Sequence, residues 1–287
     1  MVLGTDKVTS FTRNPARGLT KVLGEGVSTN SLDELKGTDM IFMVGSFNSS
    51  QTAAIKIRQA AVNGVKLAVI SPEQGLAHDH AALKINSDGS VDIVKEIIAS
   101  VIEQGLVNSS FVENRVNGFE EFKSAFAGIK VSAEAQQAAA MYGNAKKAMI
   151  IVDGSVVVPR AVQLLAGLAL ITGKVGSPRN GIIVVTPGSN ATGILAAGVD
   201  ACHREVTDEV RQGQIKGAFI FGEDPVGAGV FSQEDLEGME LLVVTSSYMT
   251  PTAAIADVVF PGSTPLETSG TYVSSDRRIK SLRRAQP

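Results

Sequence analysis

Two regimes of apolar and polar residues alternate along this chain. Short uninterrupted apolar runs occupy Met40–Val44 and residues 67–70, 148–152, 182–185, 218–221 and 241–245. Such runs are what parallel strands buried on both faces require. Between them, apolar residues recur at three- and four-residue intervals, which predicts helices over residues 15–23, 52–63, 91–104, 132–142 and 158–172. Ser31, followed by Asp33 and Glu34, reads as another helix start. Residues 111–128 carry four phenylalanines among Glu and Lys and predict short helices packing aromatics on a core. A turn at residues 186–193 opens a further helix towards Val199, and the apolar stretch 255–260 precedes a polar, basic tail. Strands alternating with helices predict an α/β fold with mostly parallel sheets.

Residues 40–74 form the organising βαβ unit. In such sheets a ligand sits where the carboxyl ends of the strands meet the loops, so the loops after Val44 and Ile70 are the first candidates. A second stretch repeats the plan: Gly45 lies 26 positions before Ser71, and Gly222 lies 24 before Ser246, each glycine following an apolar strand. Either the chain holds two copies of one ligand-binding plan, or these are the ordinary strand spacings of a doubly wound sheet. Two α/β lobes are expected, residues 1–145 and 146–287 with the basic tail.

Composition narrows the function classes. The 287 residues carry a net charge of -3 and no basic block, which lacks the footprint of nucleic-acid binding. The single Cys202 excludes an internal disulfide, an all-cysteine iron–sulfur cluster within this chain and a cysteine zinc site. No apolar run reaches the roughly 18 residues of a membrane span, so no direct membrane insertion is expected. No export signal is read at the start, and a cytoplasmic location is expected.

Candidate chemistry rests on small-residue turns. Gly45-Ser46-Phe47-Asn48-Ser49-Ser50 and Gly188-Ser189-Asn190-Ala191-Thr192-Gly193 have the composition of turns that let backbone approach a phosphate ahead of a helix. Neither is a P-loop or a GxGxxG fingerprint, and such turns also simply cap helices. His78 and His80 read as a solvated loop rather than a metal site, Cys202-His203 as structural, and the cation-rich run after Asp276 as a solvated tail or an anion-facing one. The residues by themselves indicate an α/β protein for a phosphate-bearing or nucleotide-like ligand.

Several stretches, in order, resemble the molybdopterin oxidoreductase family, which includes formate dehydrogenases and the large iron–sulfur subunit of NADH-quinone oxidoreductase. Gly26-Val27-Ser28-Thr29-Asn30-Ser31 resembles the family's G-x-M-T-N-S, and Ile70-Ser71-Pro72 its I-D-P strand end. Gly173-Lys174-Val175-Gly176-Ser177-Pro178 is similar to G-N-I-G-K-P, and Gly222-Glu223-Asp224-Pro225 to G-E-N-P. Ala256-Asp257-Val258-Val259-Phe260-Pro261, then Glu267, Gly270-Thr271-Tyr272 and Asp276-Arg277-Arg278, follows A-D-V-V-L-P…E…G-T-F-x-N-x-E-R-R.

The resemblance implies two doubly wound, mostly parallel Rossmann-like sheets without the family's N-terminal iron–sulfur domain or C-terminal β-barrel. It implies a molybdopterin guanine dinucleotide on each repeated unit, meeting at molybdenum or tungsten. By position it points to Asn30, Gly45, Ser46, Asn48 and Ser71 for one, to Gly188 and Asn190, and to Gly222, Glu223, Asp224, Ser246, Thr250 and Asp257 for the other. Thr12-Arg13 stands where the family has its metal-binding Cys or selenocysteine followed by His, and the first turn has lost the family's Pro and His. These departures imply a core degenerate at the metal, its pterin lost or retained, acting as scaffold in an electron-transfer complex such as NADH-quinone oxidoreductase. Iron–sulfur and flavin subunits are the implied partners, with a location peripheral to a membrane complex. A fragment of a formate-dehydrogenase-like molybdenum or tungsten enzyme is one alternative, and a stand-alone guanine-nucleotide-type binding module another.

Overall fold

The computed structural model describes residues 4–11, 14–199 and 203–286. Its elements begin with α1 (Arg17–Leu23), β1 (Met40–Val44), α2 (Gln51–Val62), β2 (Lys66–Ile70) and β3 (Leu83–Ile85). Four helices follow: α3 (Val91–Glu103), α4 (Ser109–Arg115), α5 (Phe119–Ser124) and α6 (Ala133–Asn144). Next come β4 (Ala148–Asp153), α7 (Pro159–Ile171), β5 (Gly181–Val185), α8 (Ala191–Ala196) and α9 (His203–Arg211). Alternation resumes with β6 (Gly217–Phe221), α10 (Gln233–Glu237), β7 (Leu241–Ser246), α11 (Pro251–Ala254) and β8 (Val258–Pro261), before β9 (Gly270–Val273) and β10 (Ile279–Leu282).

The chain forms two compact units. The larger comprises Arg13–Thr192 and Val273–Arg278, the smaller Met1–Thr12, Gly193–Tyr272 and Ile279–Pro287. The boundary expected between residues 145 and 146 instead falls within one sheet, because β4 pairs with β1 from Met40↔Ala148 to Val44↔Val152. Strands joined by a continuous ladder cannot belong to separate lobes.

The sheet of the larger unit runs β3-β2-β1-β4-β5, with every pair parallel. Successive side chains of a strand point to opposite faces, and both faces are covered. Met40, Phe42 and Val44 pack with Ile97, Tyr142 and Leu165 of the helices on one side. Ile41 and Met43 pack with Leu35 and with Ala53, Ile57 and Ala60 of α2 on the other. The unbroken apolar runs follow from that double burial. At the free edge of β5, the N–H groups of Ile182 and Val184 donate to the Thr29 hydroxyl (2.8 Å) and the Ser28 hydroxyl (3.1 Å), so an exposed ladder is avoided.

In the smaller unit β6, β7 and β8 make a parallel three-stranded sheet. Ile220, Leu242 and Val244 pack with Val206, Val210, Phe231 and Leu236 on one face. Phe219, Phe221 and Phe260 on the other remain exposed, at 66%, 73% and 54%. A strand order that advances in one direction with right-handed crossovers puts its helices on one side only. The basic tail, expected to be solvated, is mostly exposed and supplies β10, paired with β9. Among the described residues, no helix is long and apolar enough to cross a membrane.

Candidate functional site

Strand order reverses between β1 and β4, and in open parallel sheets the ligand crevice lies at the carboxyl ends of such a pair. The turn that follows β1 there is built from Gly45, Ser46, Phe47 and Asn48. Gly45 donates its N–H to the Ile70 carbonyl (2.9 Å). Phe47 adopts φ +59, which costs a non-glycine residue about 1–2 kcal/mol, and is held there by its buried ring and by an N–H donated to Asp153 Oδ2 (2.8 Å). Asp153, the last residue of β4, is 2% exposed, and its other oxygen accepts from Ser155 N–H (3.0 Å) and the Ser155 hydroxyl (2.5 Å).

Across the turn lies the loop after β2. Ser46 Oγ (3.1 Å) and Asn48 Nδ2 (3.4 Å) both donate to Glu73 Oε2, while Ser71 Oγ donates to the Glu73 carbonyl (2.9 Å). Gly75 donates its N–H to His78 Nδ1 (2.8 Å). His78, expected in a solvated loop, is only 5% exposed, and its Nε2 is buried without a hydrogen-bond partner. That burial, with Lys84 nearby, lowers its pKa although the Gly75 contact and Asp79 act to raise it. His80 is exposed, as expected of a loop residue.

The unit around β6 and β7 repeats the arrangement. Gly222 donates its N–H to the Thr245 carbonyl (2.9 Å), as Gly45 does to Ile70. Ser246 Oγ donates to the carbonyl two residues on, Tyr248 (2.8 Å), as Ser71 Oγ does to Glu73. The spacing match therefore reflects a shared local geometry. Here Glu223 accepts from Ser10 Oγ (2.5 Å) and Phe11 N–H (3.0 Å). Asp224 Oδ1 accepts from Thr252 N–H (3.0 Å), the Thr252 hydroxyl (2.6 Å) and Gly227 N–H (3.1 Å). Desolvation opposes its ionisation, but those hydrogen bonds outweigh it and hold the carboxyl below its ordinary pKa. Thr250 Oγ1 caps α11 by accepting from Ala253 N–H (3.1 Å).

The structure thus brings Gly45, Ser46, Asn48 and Ser71 together at one set of carboxyl ends, and Gly222, Glu223, Asp224 and Ser246 at another. Gly188 and Asn190 lie in the turn beyond β5, where Asn190 Oδ1 accepts from Val273 N–H (2.9 Å). Asn30 and Asp257 stand apart from these groups, at the amino ends of their sheets. Asn30 donates to Glu34 (2.8 Å) ahead of β1, and Asp257 accepts from Leu242 N–H (2.7 Å) near the start of β7. Thr12, Arg13 and Cys202 lie outside the described residues. Glu73, Asp153, His78 and Thr252 are the contributors that the sequence reading missed. The apolar strand ending in Asp153-Gly154-Ser155 was the available signal for one of them.

The molybdopterin oxidoreductase family profile matches residues 9–287. The chain belongs to that family. It is 28% identical over 336 residues to formate dehydrogenase H of Escherichia coli, covering 96% of this chain and 47% of that protein. To the NADPH-Fe(3+) oxidoreductase subunit alpha of Geobacter sulfurreducens it is 25% identical over 338 residues, covering 99% and 40% respectively. Among solved structures, acetylene hydratase from Pelobacter acetylenicus shares the fold with a TM-score of 0.74 at 18% identity, over 95% of this chain and 47% of that one. The chain therefore spans about half the length of the curated relatives it matches.

Membership implies a molybdopterin cofactor, and the two turns fit its phosphates differently. A Cβ built on Gly45 would lie 2.3 Å from Asp153 Cβ, so the chain itself fills that approach. Around Gly222, at φ +65, a Cβ would meet nothing within 4 Å among the described residues. Beside Gly222 there is room for a Cβ-sized group, and beside Gly45 there is none.

Proposed function

We propose that this chain is the core of a molybdopterin-oxidoreductase-type subunit, degenerate at the metal, that serves as scaffold within a redox complex. The observation that carries the reading is Thr12-Arg13 at the position where the family motif has cysteine or selenocysteine followed by histidine. A threonine hydroxyl stays protonated at neutral pH and is a poor ligand for a soft metal, whereas a thiolate is a good one. When bound, a molybdopterin dinucleotide supplies a dithiolene-held metal for redox chemistry. Of this chain's residues, the Gly222 backbone and the Ser246 hydroxyl would face its phosphates. Relatives named as alpha subunits support partner subunits; in this reading those partners carry iron–sulfur clusters or flavin, and the assembly is cytoplasmic and peripheral to a membrane complex.

Identity to formate dehydrogenase H over nearly the whole chain favours a second reading, part of a molybdenum or tungsten enzyme of that kind. Elemental analysis of the purified protein, with acid oxidation to release fluorescent pterin, separates the two. The scaffold reading expects far less than one equivalent of metal. A full equivalent of molybdenum or tungsten replaces it with the second reading.

A further inference from the structure

The two repeated turns share their framing hydrogen bonds but differ in what occupies the space above them. We infer that the first turn is closed to phosphate by the chain's own carboxylate, Glu73, seated on a turn fixed from beneath by Asp153, so that the second turn alone is left open to a nucleotide anion. The inference uses the proposed dinucleotide only to choose a probe.

An anion-binding turn works by presenting unpaired N–H and O–H groups. Gly45 N–H and Gly222 N–H are spent alike, on Ile70 and Thr245, so the difference lies elsewhere: at the first turn Phe47 N–H is also spent, on Asp153 (2.8 Å). The Ser46 hydroxyl and the Asn48 amide converge on a single oxygen, Glu73 Oε2, at 3.1 and 3.4 Å, and Asn48 also donates to the Gln74 carbonyl (3.3 Å). Two side-chain donors meeting on one carboxylate oxygen is the pattern a phosphate oxygen would receive from the same groups.

The packing agrees. Besides the 2.3 Å approach of Asp153 to a Cβ on Gly45, a Cβ on Gly75 would lie 2.2 Å from the Ser46 carbonyl. The loop after β2 is thus pressed directly onto the turn. An incoming phosphate would displace Glu73 and then face both it and Asp153 as like charges. At the second turn, Glu223 and Asp224 are directed to other partners, Ser10 and Phe11 in one case and Thr252 and Gly227 in the other, and among the described residues no atom lies within 4 Å of a Cβ built on Gly222.

The test is site-resolved. In the full chain labelled with 15N, inorganic pyrophosphate is titrated while the amides of Ser46, Phe47, Gly222 and Ser246 are followed by NMR, for the wild type and for Glu73→Ala. Glu73 is exposed, so this substitution leaves the core intact, which a thermal melt verifies. The wild type is expected to show no saturable shift at Ser46 and Phe47. Glu73→Ala is expected to gain one, with binding at that turn tightened on the order of tenfold or more by the release of two donors. Saturable shifts at Ser46 and Phe47 in the wild type overturn the inference, as does a folded Glu73→Ala that gains none. Absence of shifts at Gly222 and Ser246 would count against the proposed dinucleotide site and leaves the closure of the first turn to be judged by Ser46 and Phe47.

Discussion

Asp33 accepts hydrogen bonds from Lys56 and Arg278, and these contacts hold its carboxyl down at about 2. Unfolded, it titrates near its ordinary 3.8. A depressed acid stabilises the fold above the unfolded pKa, and that contribution is lost as pH falls through the folded one. The contact should therefore persist at neutral pH and disappear between roughly pH 4 and 2. Replacing Arg278 by Gln is expected to move the Asp33 titration back towards its ordinary value, read by carboxyl NMR, with added salt weakening the wild-type shift because the pair is exposed. His78 has the same sign of linkage, through its neutral form rather than its charged one. Its pKa is lowered from 6.5, so the unfolded chain binds the proton more readily and stability declines as pH drops below that value. In His78→Asn, whose amide oxygen can still accept from Gly75, melts between pH 5 and pH 7 should show a shallower acid decline. Nothing in the residue pattern separates His78 from His80. His78 alone of the two accepts the Gly75 N–H, and Gly75 packs closely on the Ser46 carbonyl, a contact between loops distant in sequence.

At the scale of elements, the apolar runs located most strands because a strand buried on both faces has no alternative pattern. The exceptions share a physical cause. β3 is a short strand whose middle residue, Lys84, is exposed, and β9 and β10 have no fully buried residue, so none of the three leaves an apolar trace. The candidate site was legible in the same way: glycine and hydroxyl residues marked the strand ends, whereas Glu73, which occupies the first turn, comes from a loop with no such signature. Ser28 and Thr29, which resemble part of a family motif, have a structural task as well. They seal the edge of β5. Thr29→Val keeps the shape but leaves the buried Ile182 N–H without its 2.8 Å acceptor, and should cost about 1–3 kcal/mol in urea unfolding.

For the whole molecule, the contrast between the sheets predicts unequal stability. The larger unit buries β1 completely between two apolar layers, while the smaller has one layer and an exposed aromatic face. Hydrogen exchange should be slowest at Met43 and Ile151 and markedly faster at Phe219 and Phe260, since protection follows local burial. Equal protection in both sheets would mean that the exposed face is covered in solution. The smaller unit is also assembled from distant parts of the chain. Ser10 bonds Glu223, and the Phe11 ring meets Phe231 edge-on at 5.1 Å. At translation rates of about 5–20 residues per second, the segment containing Ser10 and Phe11 waits on the order of 10–40 s before those partners exist. In the cell this early segment is therefore among the last to be seated, and for that interval it is exposed to chaperones and proteases while the five-stranded sheet can already close.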